Sequence, residues 1–504
     1  VDDRVTVRPG DPLNQSALLE TQRRLYNLAL FNEVNTAVEN PNGDELRKNV
    51  LLQLTEAKRW DFNYGFGFEA QTGTPATNCV NGTADTTPKS RGPRSGSAAG
   101  SPSTSSSASS SASSGACSPG GTAGVSPAVL FDVTRTGLRG TNQSISLRTA
   151  YGTLEQRATA VYQVPRVFGL QKVDASVSGG YIKAQDVTTY SSSQLVGSFR
   201  FTERPDRRNT FIYSFTYRRV EVDENTIQVA PDLIPLYSQP VRVGGPGVTW
   251  IRDTRDTPLD AHHGTYNAIQ EFVATGGFGS EANFNRLDMT NSSYYQLGKR
   301  RWVLARNTRF GTEQSWGDFD EQQIPLPERL YAGGAQSLRA FPINQAGPRD
   351  EQTGFPIGGA GVFVNSVELR LPYPTLPYVG DSLGFVVFHD MGNVFNHASD
   401  IPGSFLRFHQ PEISTCKTLL ASPPSSKTES NGPCSFNYFS HDVGLGLRYN
   451  TPIGPIRLDM AVNLNPPDYP VYVTYSSSSS PVNTPPHIGQ AGYFNFFFSI
   501  GQAF

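Results

Sequence analysis

At 504 residues the chain is long enough for several soluble domains or for one large barrel. Charged residues make up 17%, below the roughly 25% of ordinary soluble domains, aromatics reach 11%, and a formal net charge of -2 leaves no basic surplus for nucleic acid. No apolar run approaches the roughly 18 residues of a membrane helix; the mean hydropathy of -0.38 does not exclude membrane strands, in which lumen-facing polar residues cancel lipid-facing apolar ones.

The sequence opens at Val1 with neither an initiator methionine nor a signal peptide, and is read as a mature product or a fragment. Residues 15–30 place Leu18, Leu25 and Leu28 on one helical face, after Gly10-Asp11-Pro12 and capping residues Asn14 and Ser16. Two short strands follow at 33–38 and 49–56, the second alternating through Val50, Leu52 and Leu54. This helix-strand-strand unit, residues 1–57, is too small to bury a good core alone and reads as part of a domain.

From Trp60 the pattern changes to period two. Trp60, Phe62, Tyr64, Phe66 and Phe68 share one face, opposed by Asp61, Asn63, Gly65, Gly67 and Glu69. The theme returns at Ile145, Leu147 and Tyr151, at Phe211, Tyr213, Phe215 and Tyr217, and at Ile456, Leu458, Met460, Val462 and Leu464. The chain closes on Phe494, Phe496, Phe498, Ile500 and Phe504, opposed by Asn495, Phe497, Ser499, Gly501 and Ala503. A soluble sandwich alternates too, but its apolar face is rarely so aromatic for so long. Alternate connections are short (140–142, 169–172, 206–209, 299–301, 453–455), and the others include the long ones (71–125, 223–241, 315–359, 396–441, 466–490). The fold class is therefore all-β: residues 58–504 are expected to form a 16-stranded antiparallel transmembrane β-barrel, with both chain ends on the short-turn, periplasmic side. The Ser-, Ala- and Gly-rich segment 94–121 is expected to be a solvated external loop. Cys79 with Cys117 and Cys416 with Cys434 are expected to form two loop disulfides in an oxidising compartment.

Nothing in the sequence makes a convincing catalytic triad, metal cluster or phosphate loop; His262 and His263 lack further ligands nearby, and no enzyme activity, metal or cofactor is expected. One charge constellation does stand out. A Gly-rich approach, Tyr331-Ala-Gly-Gly-Ala-Gln-Ser, leads to Leu338-Arg339-Ala340-Phe341, while strand alternation turns Glu368 and Asp390 toward the lumen. Taken alone Arg339 is an ordinary loop arginine. On a folded-back loop its planar guanidinium suits either carboxylate and would latch the loop inside the barrel.

These segments resemble the BamA/TamA family of outer-membrane assembly barrels, whose relatives include the two-partner secretion transporters. Leu338-Arg339-Ala340-Phe341 is similar to that family's Val-Arg-Gly-Phe/Tyr loop motif, with Ala340 where glycine is usual; Phe388-His389-Asp390-Met391-Gly392 resembles its Phe-x-Asp-x-Gly strand motif. Gly444 to Asp459 is close to its penultimate hairpin, and Asp253-Thr-Arg255-Asp256-Thr-Pro258 and the last strand also fit. The resemblance implies that residues 1–57 are the C-terminal part of a POTRA domain in the periplasm and that Arg339, Phe341, Glu368, Asp390 and Gly392 form a loop latch. It also implies that the chain inserts other barrels into the bacterial outer membrane, by POTRA capture of clients and strand addition at a seam between strands 60–71 and 493–504. Gly65, Gly67 and Gly501 would weaken packing across that seam. Implied partners are outer-membrane lipid, unfolded outer-membrane protein clients, and periplasmic or lipoprotein accessory subunits. Two alternatives remain open: export of a partner polypeptide through the lumen, and a passive pore for small solutes.

Overall fold

The computed structural model describes residues 5–26, 31–39, 41, 47–56, 58–75, 118–138, 142–170, 172–229, 233–258, 260–298, 302–317, 319, 321–350, 353–371, 383–411, 435–451, 454–471, 474–475, 481–482 and 487–500. Cys79, Cys117, Cys416, Cys434, Gly501 and Phe504, and most of the Ser-rich segment, lie outside them.

Helix α1 (Gln15–Tyr26) is followed by β1 (Phe31–Val38) and β2 (Val50–Glu56), an antiparallel pair. Leu25 and Val34 are fully buried and meet Phe31 and Leu54. The helix is tied to the first strand through Gln22 Nε2, which donates to the Val34 carbonyl at 2.7 Å. One apolar face on each element is thus enough to fix the unit, although its core is only a few side chains wide.

The rest is a closed antiparallel barrel. Its strands begin with β3 (Trp60–Thr74), β4 (Thr122–Leu138), β5 (Gln143–Gly152), β6 (Glu155–Val164), β7 (Val173–Val187) and β8 (Tyr190–Glu203). They continue with β9 (Asn209–Val222), β10 (Val241–Asp253), β11 (Gly264–Ala274), β12 (Phe284–Leu297), β13 (Trp302–Ser315) and β14 (Gly361–Leu371). The last are β15 (Leu383–Phe395), β16 (Ser440–Thr451) and β17 (Gly454–Asn463). Four short strands then form two small antiparallel pairs outside the barrel wall: β18 (Asp468–Val471) with β21 (His487–Gln490), and β19 (Thr474–Tyr475) with β20 (Pro481–Val482). The barrel closes through β22 (Phe494–Ile500), its sixteenth strand, lying between β17 and β3.

Alternation decides which face each residue takes. Phe62, Tyr64 and Phe66 point outward, Tyr64 being 82% exposed, and Phe494 does the same at the other end of the chain. Phe497, one residue out of step, is buried in the interior. Among the described residues no helix is long and apolar enough to cross a membrane; the closed barrel, with its apolar outer face, supplies the spanning elements. The long connections share one rim. Two connections on that rim, at 153–154 and 188–189, are nevertheless as tight as the turns opposite.

Candidate functional site

The connection between β13 and β14 does not stay outside. Gly333 and Gly334 adopt φ of 115° and 99°, left-handed values that glycine accepts without a Cβ penalty, and the chain turns into the lumen. Leu338 and Phe341 bury against Leu330, Ala332, Val362 and Val394, anchoring the tip in apolar surroundings. Between them Arg339 is only 2% exposed.

A charge so deep must be paired on every side. Arg339 Nε and Nη2 donate to the two carboxylate oxygens of Asp390 at 2.8 and 2.6 Å, in the fork geometry that a guanidinium favours. Its Nη1 donates to Glu368 Oε1 at 2.6 Å, and Nη2 also reaches Ser366 Oγ at 2.8 Å. The Phe388 ring lies 3.4 Å from the guanidinium carbon, adding a cation-π face. Ala340 donates its backbone N–H to Asp442 Oδ2 at 3.0 Å, and its methyl packs with Val386, Phe388 and Ala461. Its backbone is not left-handed, so alanine fits here where the related motif carries glycine. At Gly392 a Cβ would overlap the Phe363 carbonyl on β14, which keeps the β14–β15 pairing dependent on glycine.

Of the residues expected to meet here, Arg339, Glu368 and Asp390 do so directly; Phe341 anchors the tip and Gly392 allows the close strand approach. Sequence reasoning missed Ser366, Asp442 and Asn495. Ser366 and Asp442 had a usable signal, since period two places Ser366 on the face of Glu368, and Asp442 on the face opposite Val443 and Leu445.

Asn495 joins this cluster to the barrel's closing seam. Its Nδ2 donates to the Arg339 carbonyl at 3.2 Å from β22, and its Oδ1 accepts from the Thr72 hydroxyl on β3. Gln345 Nε2, from the same loop, donates to the Gly73 carbonyl at 3.2 Å. The loop therefore touches both edges of the seam from inside. Among the described residues the seam itself pairs only from Phe68 with Ile500 to Gln71 with Phe497. By contrast β12 and β13 pair from Phe284 with Ser315 to Leu297 with Trp302. Trp60, Phe62, Tyr64 and Phe66 pair with β4 but with no described residue of β22.

A second clamp, absent from the sequence reading, holds the loop's near end with the polarity reversed. Glu328, on the loop and 3% exposed, accepts from Arg218 Nε on β9 at 2.5 Å and from Arg286 Nη2 on β12 at 3.2 Å. Arg286 Nε also meets the buried Glu313 at 2.5 Å. Burial works against the charge on Glu328, and the two arginines outweigh it, holding the carboxyl below its ordinary range. Its contribution is therefore present at neutral pH and lost as pH falls through the depressed value. Replacing Glu328 by glutamine is expected to cost about 3 kcal/mol of barrel stability. Denaturant titration of the folded, heat-modifiable form would measure the loss; an unchanged midpoint would contradict the clamp.

A family profile described as the Omp85 superfamily domain matches residues 138–504. The chain belongs to the Omp85 superfamily, to which the BamA/TamA-type barrels also belong. A SAM50-like protein of Schizosaccharomyces pombe is 28% identical over 214 residues, covering 41% of this chain and 43% of that protein. The outer membrane protein assembly factor BamA of Nitratidesulfovibrio vulgaris is 31% identical over 155 residues, 30% of this chain and 18% of that one. The chain thus matches less than half the length of these curated relatives. The crystal structure of BamA from Haemophilus ducreyi lacking POTRA domains 1–3 is similar over 99% of this chain and 81% of that one, with a TM-score of 0.62 and 15% identity, a likeness of fold.

Proposed function

We propose that this chain is a bacterial outer-membrane barrel that assembles other outer-membrane barrels, working by strand addition at the seam between β3 and β22. The observation that carries the reading is the lumen loop's hold on both edges of that seam, through Asn495 on β22 and Gly73 on β3, where among the described residues the two strands pair over 68–71 against 497–500. Each backbone hydrogen bond contributes only about 0.5–1.5 kcal/mol net. A few of them can separate while the remaining strands hold, exposing an edge of unpaired N–H and C=O groups that an extended client segment completes. Residues 1–57 act as the last part of a POTRA module in the periplasm, whose β1–β2 sheet offers a second edge to unfolded clients. The latch of Arg339 on Asp390 and Glu368 sets the loop inside the lumen and braces the wall from β14 to β22.

Membership of a superfamily with relatives named as assembly factors supports this reading at its coarse level. The loop filling supports it over the passive pore. Between its clamps on Arg218 and on Asp390 the loop runs from one wall of the lumen to another, which a large, steady conductance would require it to leave. With the protein reconstituted in vesicles, an unfolded barrel client is expected to fold at least about tenfold faster than in empty vesicles, a barrier change of about 1.4 kcal/mol. Equal rates would overturn the proposal.

A further inference from the structure

The lipid-facing wall is not uniformly apolar. On β4 and β5 it presents Val125, Val129, Phe131, Ile145 and Leu147, all exposed. On β11 to β14 the register instead aligns Asn267, Asn291 and Ser293, Thr308 and Arg306, and Asn365 on the outer face. They bond to one another along the wall. Asn291 Nδ2 donates to Asn267 Oδ1 at 2.6 Å and Ser293 Oγ to Asn291 Oδ1 at 3.2 Å. Thr308 Oγ1 and Arg306 Nε both donate to Asn365 Oδ1, at 2.8 and 2.9 Å.

This belt does not belong to a membrane rim. On one side it is bordered by Leu304 beside Tyr295, on the other by Phe310, Met289 and Ile269 in register. Arg306 and Thr308 follow Trp302 along β13 by roughly 10 and 15 Å of membrane depth, at about 3.3 Å per residue and a tilt near 40°, within an apolar band about 25 Å tall. An arginine on the lipid face at mid-depth is among the costliest of placements, and an ionisable group there marks a site of function before it marks anything else. Among the described residues neither Nη of Arg306 nor Nδ2 of Asn365 has an acceptor. The belt therefore carries more donors than its own strands satisfy.

We propose that the belt is the face on which a second copy of this chain docks within the membrane. Carboxamides and hydroxyls both donate and accept, so the set is complementary to itself, as a two-fold interface requires. An axis between β12 and β13 sets β11 against the partner copy's β14 and β12 against its β13. Arg306 and Thr308 then face the partner copy's Ser293 and Asn291, whose oxygens have a lone pair to spare. Polar groups that meet across such an interface replace lipid, which offers no hydrogen bond at that depth.

The test uses the full chain in lipid bilayers. A photo-crosslinking residue replacing Leu304, at the edge of the belt, is expected to give a covalent dimer; one replacing Val129, on the β4 wall, is not. Arg306→Leu and Asn291→Leu should each weaken dimerisation about tenfold, the effect of one hydrogen bond of about 1.4 kcal/mol in the membrane. Both should keep the folded, heat-modifiable form at an unchanged or higher melting temperature, because leucine suits lipid better. Crosslinks from position 304 to lipid alone, equal dimer from position 129, variants that dimerise like the parent, or variants that lose the folded form would each overturn the proposal.

Discussion

Arg339→Ala is expected to be the most damaging single substitution in the lumen, lowering barrel stability by about 3–5 kcal/mol. The loss follows from what remains behind. Asp390, fully buried, loses its guanidinium and keeps the Ser366 hydroxyl at 2.6 Å, while Glu368, largely buried, is left with Arg370 Nε at the longer distance of 3.4 Å. The Ala340 amide also bonds Asp442, so freeing the tip leaves a third carboxylate without that donor. Arg339→Lys should rescue little, since a single ammonium cannot reproduce the fork on Asp390 together with bonds to Glu368 and Ser366. Asp390→Asn in the Arg339→Ala background should recover part of the loss, because it removes one of the stranded charges. Denaturant unfolding of the folded form in bilayers would show this ordering; an arginine-to-alanine variant as stable as the parent would contradict the latch.

Tethering β3 to β22 should have an effect of another kind, leaving stability intact and removing activity. Glu69 and Ser499 are direct register partners across the seam, and both face the lumen side of the wall. Directly opposed residues in an antiparallel pair have Cα atoms about 4.5–5.5 Å apart, inside the range a disulfide spans. Cysteines at both positions therefore close without distorting either strand. If client strands enter through the seam, the oxidised protein loses assembly activity by at least about tenfold, whereas its melting temperature stays equal or rises. A comparable disulfide across β12 and β13, where pairing is continuous, should leave activity unchanged.

Much of this architecture was legible in the sequence because a membrane strand declares itself locally. The outward residues Phe62, Tyr64 and Phe66 and the inward Asp61 and Asn63 are consecutive, so their alternation is visible without any partner. Glu368 and Asp390 were assigned to the lumen by the same parity, and Arg339 by its resemblance to a known loop motif. What could not be read depends on register between distant strands. Glu328 meets Arg218 across 110 residues, inside a loop with no periodicity to reveal which side chains turn inward. Asn495 looked like a small polar residue on an aromatic strand, and only the folded loop shows that it bonds both Arg339 and Thr72. The register of the seam was likewise invisible, since nothing in the sequence of β3 says that, among the described residues, it meets β22 from Phe68 to Gln71. Asn267, Asn291 and Ser293, Arg306 and Thr308, and Asn365 interrupt four different strands, and they become a belt only when the barrel aligns them.

The central claim, that clients enter where β3 meets β22, is tested most directly by one preparation assayed twice. Protein carrying Glu69→Cys and Ser499→Cys, reconstituted in vesicles, would be given an unfolded barrel client first oxidised and then after reduction. The account predicts negligible acceleration of client folding in the oxidised state and recovery of the parent rate on reduction. Full activity with the seam covalently closed would contradict it.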